Sequence, residues 1–413
     1  MGFTVRSQPI RAFDNQNFFQ LASIQSASLG LSVIIIGKQL ATQYGPGTAI
    51  CSIAIGNLIL WLIGISIISM PEGARASAID NMKTYFGKTG GWIAALIFMA
   101  SILNWFAYQI NFSLSSINTL STLNFHLTKT LGVRIGAALG LIAALLSIGG
   151  IRLIRQITMI GLPLLLAYHF YALSISTISS TTITWGISLP AVLTAILILL
   201  PGVINYPTFF RHSRSKAHSF LALTLLTILI SFFQISTIWI DCAPVQGLNF
   251  YTLSLPLFII FTLTTCNLLN IYLVSACWET IAPKFGGAKG YAIIGLFGTL
   301  TYTFVQITTP VQLFQNLTNA YIANFGIVLL LTYLMRLLVR NKISPSIKNI
   351  NLAAWAFGSL TATFYEIQHF LSGLPSLIAG VNACILFFLC VLFFEETASA
   401  IRSKFKRVTF DPR

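Results

Sequence analysis

Residues 262–272 read TLTTCNLLNIY and place three threonines and two asparagines inside a long apolar run. Hydrocarbon tolerates hydroxyl and amide groups only when they pair with each other, with an ion or with a ligand. On a helix, Thr264, Asn267 and Asn270 follow one another at intervals of three and share one face. The pattern predicts either an ion and solute site inside a membrane or hydrogen bonds that join two membrane helices.

The composition of the whole chain indicates a membrane protein. Of its 413 residues 56% are hydrophobic and only 8% are charged, and the mean hydropathy is +0.83, whereas a soluble domain carries roughly 25% charged residues. The net charge of +15 comes from lysines and arginines in alternate loops, which is typical of an orientation signal rather than of a nucleic-acid surface. We therefore expect an all-α polytopic membrane protein whose partners are the lipid bilayer and a small-molecule substrate, with no nucleic acid.

Twelve apolar segments are long enough to span a bilayer, since a membrane helix needs roughly 20 residues. Basic residues concentrate in the loops after every second span, while the other side holds Lys129 and Arg134, and Lys38 lies within the first span. This distribution predicts a cytoplasmic (inner) membrane location with both termini in the cytoplasm. The predicted spans are about 17–43, 48–70, 92–122, 131–150, 156–179, 186–207, 218–240, 253–278, 290–309, 310–338, 350–371 and 375–398.

Three segments carry signals that end or interrupt a helix. Span 1 contains SIQSASLGLS around Gly30, which favours either a broken helix with free carbonyls or a packing face of small residues. Span 6 contains Pro201-Gly202 and then Asn205-Tyr206-Pro207, which predict two interruptions or an ordinary proline kink. The loop 71–91 predicts a short amphipathic helix that ends at Gly87.

Two further spans carry polar side chains on one face. In span 3, Trp105 and Gln109 lie four residues apart, so an aromatic plane and an amide face the same way. This pair suits a flat heterocycle with ring N–H and C=O groups, although an interfacial aromatic belt is the alternative. In span 10, Gln315 and Asn319 share a face and predict a second polar seam.

Nothing in the sequence predicts catalysis. There is no nucleotide-binding glycine loop, no Ser–His–Asp candidate and no pair of carboxylates suited to a cleft. Glu366 and His369, near the end of span 11, are interpreted as an interfacial pair or as a proton-handling pair. We therefore predict that the protein is not an enzyme.

Several motifs in order give the chain a resemblance to the nucleobase–cation symporter family, which includes cytosine permeases and hydantoin transporters. The resemblance covers nearly the whole chain and implies a LeuT-type fold. One inverted repeat would take in residues 17–179 (spans 1–5), a second 186–338 (spans 6–10), and 350–398 would add spans 11 and 12. The motifs are GNL at 56–58, the loop at 73–92, WF-x-x-Q at 105–109, NYPTFFR at 205–211, TTCNLLN at 264–270, the segment 320–340 and NINLAAWAFG at 349–358.

The resemblance also implies a sodium site. Its ligands would be the carbonyl of Phe261, the hydroxyls of Thr264 and Thr265, and carbonyls of span 1 near Gln25 and Ser28. Hydroxyl and carbonyl oxygens are suitable ligands for a hard cation. Sodium would act as the coupling ion, and no other cofactor is expected.

A substrate site is implied beside the ion. The substrate would stack on Trp105 and hydrogen-bond to Gln109, Asn267 and Asn270. Leu199 stands where family members carry an aromatic residue against the other face of the substrate. The family's aspartates in spans 6 and 10 are replaced by Thr208 and Thr332. The same site is expected to take in Gly202, Gln315 and Asn319.

The function expected from this resemblance is sodium-coupled import, by alternating access, of a nucleobase or related heterocycle (cytosine-, purine- or hydantoin-like). The alternatives are transport of an amino acid or another small solute by the same fold, proton coupling, or a membrane receptor without transport. A monomer is expected.

Overall fold

The computed structural model describes residues 15–26, 31–70, 76–118, 128–176, 183–240, 250–307, 311–339, 345–368 and 374–408. These residues are almost entirely helical and contain no β-strand; one isolated parallel bridge joins Gln16 to Ser213. The helices are α1 (Phe18–Ser26), α2 (Leu31–Tyr44), α3 (Pro46–Ser69), α4 (Ala78–Asn118), α5 (Lys129–Ser147), α6 (Gly150–Ile175), α7 (Leu189–Ile204), α8 (Tyr206–Phe210), α9 (Lys216–Thr237), α10 (Phe250–Ile281), α11 (Ala288–Ile307), α12 (Val311–Val339), α13 (Pro345–Ile367) and α14 (Leu374–Val408).

These helices coincide with the predicted spans. Spans 1 and 6 each comprise two helices, α1 with α2 and α7 with α8, and the other spans comprise one each. Within the described residues, nine stretches are long and apolar enough to cross a membrane. The prediction of an all-α, multi-pass membrane protein is confirmed.

Span 6 is interrupted about one helical turn after the first of its two predicted breaks. Pro201 stays inside α7, which continues to Ile204, so the predicted break at Pro201-Gly202 is wrong. A proline in a helix removes one hydrogen bond, but α7 is held on both sides of it by buried apolar residues. The break at Asn205 is confirmed, and Pro207 enters the first turn of α8, where no backbone N–H is needed.

Two other predicted helix ends have different outcomes. Gly87 adopts φ +77° and divides α4, so the short helix before span 3 ends at Gly87 as predicted. A residue distant in the sequence caps the first turn of that helix: Oγ1 of Thr208 accepts a hydrogen bond from the backbone N–H of Ala78 over 3.2 Å. The predicted break at Gly30 lies outside the described residues.

The helices group into two compact units. The first comprises Met1–Ile79 and Phe98–Val311, and the second comprises Asp80–Ile97 and Gln312–Arg413. In the first unit α10 packs against α5, α6 and α11, α1 packs against α6 and α9, and α2 packs against α3 and α9. Gly37 permits the close approach of α2 to α9, since a Cβ atom there would lie 1.8 Å from the carbonyl oxygen of Gln234.

Within the second unit, a buried asparagine joins α13 to α12 and to the short helix that ends at Gly87. Asn351 of α13 accepts a hydrogen bond from Oγ1 of Thr332 (3.0 Å) and donates one to the carbonyl oxygen of Tyr85 (2.8 Å). The rings of Phe86 and Phe325 pack edge to face beside it. Thr332 therefore holds α12 to α13 through its hydroxyl group.

Candidate functional site

Three amide side chains, which we call the amide cluster, join the last third of α4 to the middle of α10: Gln109, Asn267 and Asn270. Nδ2 of Asn270 donates to Oε1 of Gln109 (3.1 Å) and to Oδ1 of Asn267 (3.1 Å). Nδ2 of Asn267 donates to the carbonyl oxygen of Phe106 (3.4 Å). Gln109 and Asn267 are only 5% and 3% exposed, while Asn270 is half-buried. The structure thus brings together the predicted amides of spans 3 and 8.

Trp105 lies one helical turn before Gln109 on α4. Its indole is half-buried and packs edge to face against Tyr108, with ring centroids 5.5 Å apart. An amide acceptor and donor and an aromatic face therefore occupy neighbouring turns of one helix.

The two predicted residues of span 6 differ in their surroundings. Leu199 is half-buried and packs against two apolar clusters, one of which contains Leu40 and the other Leu226. Gly202 is exposed, and a Cβ atom built there would meet no described atom within 4 Å. Gly202 therefore leaves open space on its side of α7, whereas Leu199 belongs to the packed side.

The predicted ion ligands on α10 lie in continuous helix. Oγ1 of Thr265 donates to the carbonyl oxygens of Phe261 (3.1 Å) and Thr262 (2.7 Å). Because its hydrogen is committed to the backbone, the lone pairs of this hydroxyl remain available to accept a cation. Thr264 is half-buried. Hydroxyl oxygens are a suitable type of ligand atom for a hard cation, and both threonines supply one.

The span 1 side of the predicted ion site is described in part. Gln25 is 1% exposed near the end of α1, and Ser28 lies outside the described residues. Both α1 and α10 pack against α6. On α6, Gly161 leaves room for the ring of Phe261, since a Cβ atom there would lie 3.3 Å from a ring carbon. Helix α6 is therefore the common neighbour of the two predicted ligand segments.

The last two predicted residues, Gln315 and Asn319, belong to α12 in the second unit. Nε2 of Gln315 donates to Oδ1 of Asn319 over 2.9 Å. The predicted shared face is thus present as a hydrogen-bonded pair. In the same unit, the carboxylate of Glu366 is 3% exposed and accepts hydrogen bonds from Asn316 and Ser376. His369 lies outside the described residues, so the predicted pair stays a prediction.

A second polar assembly was not predicted, and we call it the Tyr272 network: Thr208, Arg211, His212 and Tyr272. The guanidinium of Arg211 donates to the hydroxyl of Tyr272 (3.3 and 3.0 Å), and Nε2 of His212 lies 2.6 Å from the same oxygen. The Tyr272 hydroxyl in turn donates to the carbonyl oxygen of Thr208 (3.3 Å). Tyr272 raises the pKa of the Arg211 guanidinium, so the network keeps its positive charge at any physiological pH.

This network ties three segments together. The backbone N–H of Gln16 donates to the carbonyl oxygen of His212 (2.8 Å), and that of Arg214 donates to the carbonyl oxygen of Gln16 (3.0 Å). The chain just before α1, the loop after α8 and the last third of α10 are therefore held at one point. In the sequence, the only sign of this assembly is the run from Asn205 to Arg211, whose arginine was interpreted as an orientation signal.

The arrangement of the helices is the LeuT-type fold that the sequence resemblance implies. Mhp1, a nucleobase-cation-symport-1 family transporter in a closed conformation with bromovinylhydantoin bound, superposes with a TM-score of 0.62. It is 16% identical, and the match covers 93% of this chain and 95% of that one. The inward-facing conformation of Mhp1 gives a TM-score of 0.64 at 16% identity, over 95% of each chain.

A sodium-coupled sialic acid symporter in a substrate-bound, outward-open state also matches. Its TM-score is 0.65 at 11% identity, over 90% of this chain and 88% of that one. By sequence alone, no family model and no curated protein matches the chain. At these identities the likeness establishes the predicted fold. The matched proteins are transporters.

Proposed function

We propose that this protein is a secondary active transporter that imports a small, flat, polar heterocycle together with a cation. The substrate would be a nucleobase or a related ring, such as cytosine, a purine or a hydantoin, and the cation would be sodium. The observation that carries the proposal is the amide cluster one turn from the half-buried face of Trp105. Amides supply both donors and acceptors to ring N–H and C=O groups, and an indole supplies a stacking surface.

Sodium would be held by the Phe261 carbonyl and the hydroxyls of Thr264 and Thr265, with span 1 carbonyls near Gln25 and Ser28. The direction of the Thr265 hydroxyl supports this assignment, because its hydrogen points to the backbone. Ion and substrate would then use the same helix, α10, within about three turns. Any coupling between the two sites would be reciprocal, so that sodium raises substrate affinity by the factor by which substrate raises sodium affinity.

The membrane setting follows from the charges. The ends of the spans that carry Arg211, Arg214 and Lys216 would face the cytoplasm, as would both termini of a monomer in a cytoplasmic membrane. The Tyr272 network would then close the cytoplasmic end of spans 1, 6 and 8 in the conformation described here. Its release would belong to the inward-opening step of alternating access.

Two of the matched structures have small-molecule substrates. Mhp1 was solved with a hydantoin bound, and the second transporter is a sialic acid symporter coupled to sodium. Both ligands are small and polar.

Transport of an amino acid is the second candidate. It is favoured by Leu199, an aliphatic side chain packed among apolar residues where family members place an aromatic one. A substrate that needs no second stacking surface would suit this position. Transport that does not depend on sodium would point to proton coupling, and binding without flux would point to a receptor.

A thermal-shift screen tests the proposal. The purified full chain is heated with nucleobases, hydantoins and amino acids, in sodium and in potassium buffers. A bound ligand stabilises the folded state by about 2.7 kcal/mol at 100 times its Kd, so a heterocycle should raise Tm, and more so in sodium. The double variant Thr264→Ala, Thr265→Ala should keep the heterocycle shift but lose the sodium effect. Shifts with amino acids alone would favour the second candidate, and equal shifts in both salts would remove the sodium site.

A further inference from the structure

The last two turns of helix α2 carry a polar face. Lys38 and Thr42 form one row of residues four apart, and Gln39 and Gln43 form the adjacent row. These four side chains are exposed or half-exposed, whereas their neighbour Leu40 is buried in an apolar cluster. Lipid is an unsuitable neighbour for such a face, because exposed polar groups cost free energy in hydrocarbon.

This face, together with the apolar side chains of Ile36 and Leu40 and with Thr194 of α7, lines a cavity of about 510 Å³. The hydroxyls of Thr42 and Thr194 donate to carbonyl oxygens of their own helices (2.8 and 2.7 Å). Lys38 lies seven residues along α2 from Leu31, which corresponds to about 10 Å of rise. The cavity is therefore displaced along span 1 from the middle of the membrane.

Lys38 supplies the charge of this cavity. Its ammonium donates to the carbonyl oxygen of Ile240 over 3.2 Å, and an ammonium has three donors. In the described part of the first unit the one acidic residue is Glu279, in the last turns of α10 beyond the Tyr272 network. A lysine within a span is costly, which makes its surroundings a candidate site for an ion or a substrate. The charge here suits a negatively charged ligand.

We propose that this cavity binds the anionic group of the substrate. The transported ring would then carry a carboxylate, as in a pyrimidine or hydantoin carboxylic acid. The identity of the ring rests on the proposed function, but the binding of an anion at Lys38 does not. The positive potential of the cavity would also raise the local concentration of such an anion and speed its entry.

Matched ligand pairs test the proposal: orotate against uracil, and hydantoin-5-acetate against hydantoin. Each pair shares a ring and differs by the acid group. Binding to the purified full chain is measured for the wild type, Lys38→Gln, Lys38→Arg and, as a surface control, Lys129→Gln. At least one anion should bind at least 10-fold more tightly than its neutral partner. Lys38→Gln should remove this preference and leave the neutral partner within twofold, while Lys38→Arg and Lys129→Gln keep it.

Asp241 follows Ile240 in the sequence and lies outside the described residues, so Asp241→Asn is included. The proposal requires this variant to keep the anion preference. If it loses the preference as fully as Lys38→Gln, and the double variant loses no more, Lys38 serves as a structural counter-ion and the proposal is wrong. It is equally wrong if no anion exceeds its neutral partner, or if Lys38→Gln weakens both members alike. Neutral rings that bind while anions do not would leave the proposed function intact and remove only this site.

Discussion

Replacing Asn270 by alanine should weaken substrate binding through the loss of two hydrogen bonds. Its Nδ2 donates hydrogen bonds to Oε1 of Gln109 and to Oδ1 of Asn267, each over 3.1 Å. A hydrogen bond of this kind contributes about 0.5–1.5 kcal/mol net, so the two together account for about 1–3 kcal/mol. If they orient the two amides for the substrate, Asn270→Ala should raise Kd about 5- to 150-fold, because the free amides must be ordered again on binding.

Asn57 provides the matched control. It is 2% exposed, and its Nδ2 likewise donates two hydrogen bonds, to Ser231 and Gln234 at 2.9 Å each, but between α3 and α9. Both alanine variants should lower Tm by similar amounts, and only Asn270→Ala should change Kd. The assay is calorimetric titration with the best ligand of the thermal-shift screen, on monodisperse protein. Equal Kd values for the two variants would refute the assignment of the amide cluster to the substrate.

Three further predictions concern other parts of the molecule. Trp105→Ala should raise Kd about 5-fold or more, since stacking contributes about 1 kcal/mol beyond burial, and Trp105→Phe should recover most of the loss; an unchanged Kd in the alanine variant would exclude stacking. Arg211→Ala should open the Tyr272 network. In a protein whose other cysteines are replaced, this variant should raise the rate at which maleimide labels Cys277, which is 2% exposed. An unchanged labelling rate would mean that the network does not close the cytoplasmic end of spans 1, 6 and 8. Gly37→Ala should lower Tm sharply, because the new Cβ would lie 1.8 Å from a carbonyl oxygen of α9. The control Gly132→Ala, with no described atom within 4 Å of the new Cβ, should raise Tm slightly by reducing the freedom of the unfolded chain. A thermal melt in which the two variants rank in the reverse order would contradict the packing of α2.

The local part of the site could be predicted from the sequence. Asn267 and Asn270 are three residues apart, and helical geometry alone puts them on one face, where they now form a 3.1 Å hydrogen bond. The same reasoning paired Gln315 with Asn319 and ended the helix before span 3 at Gly87. These features depend on neighbours within one or two helical turns.

The non-local part could not be derived from periodicity. Gln109 and Asn270 are 161 residues apart, and only the family resemblance suggested that they meet. The Tyr272 network joins residues about 60 apart, and the positive charge of Arg211 was explained by topology alone. Pro201 was predicted to end its helix by a local rule, but the packing of α7 overrides that rule and moves the break to Asn205.

Sodium-driven accumulation is the most direct test of the central claim. The best heterocycle from the screen is given to proteoliposomes that hold the full chain, with an inward sodium gradient and with potassium in its place. We predict accumulation above the external concentration that a sodium ionophore abolishes and that the Thr264→Ala, Thr265→Ala variant does not support. Ligand binding without flux, or equal accumulation in potassium, would contradict a sodium-coupled transporter.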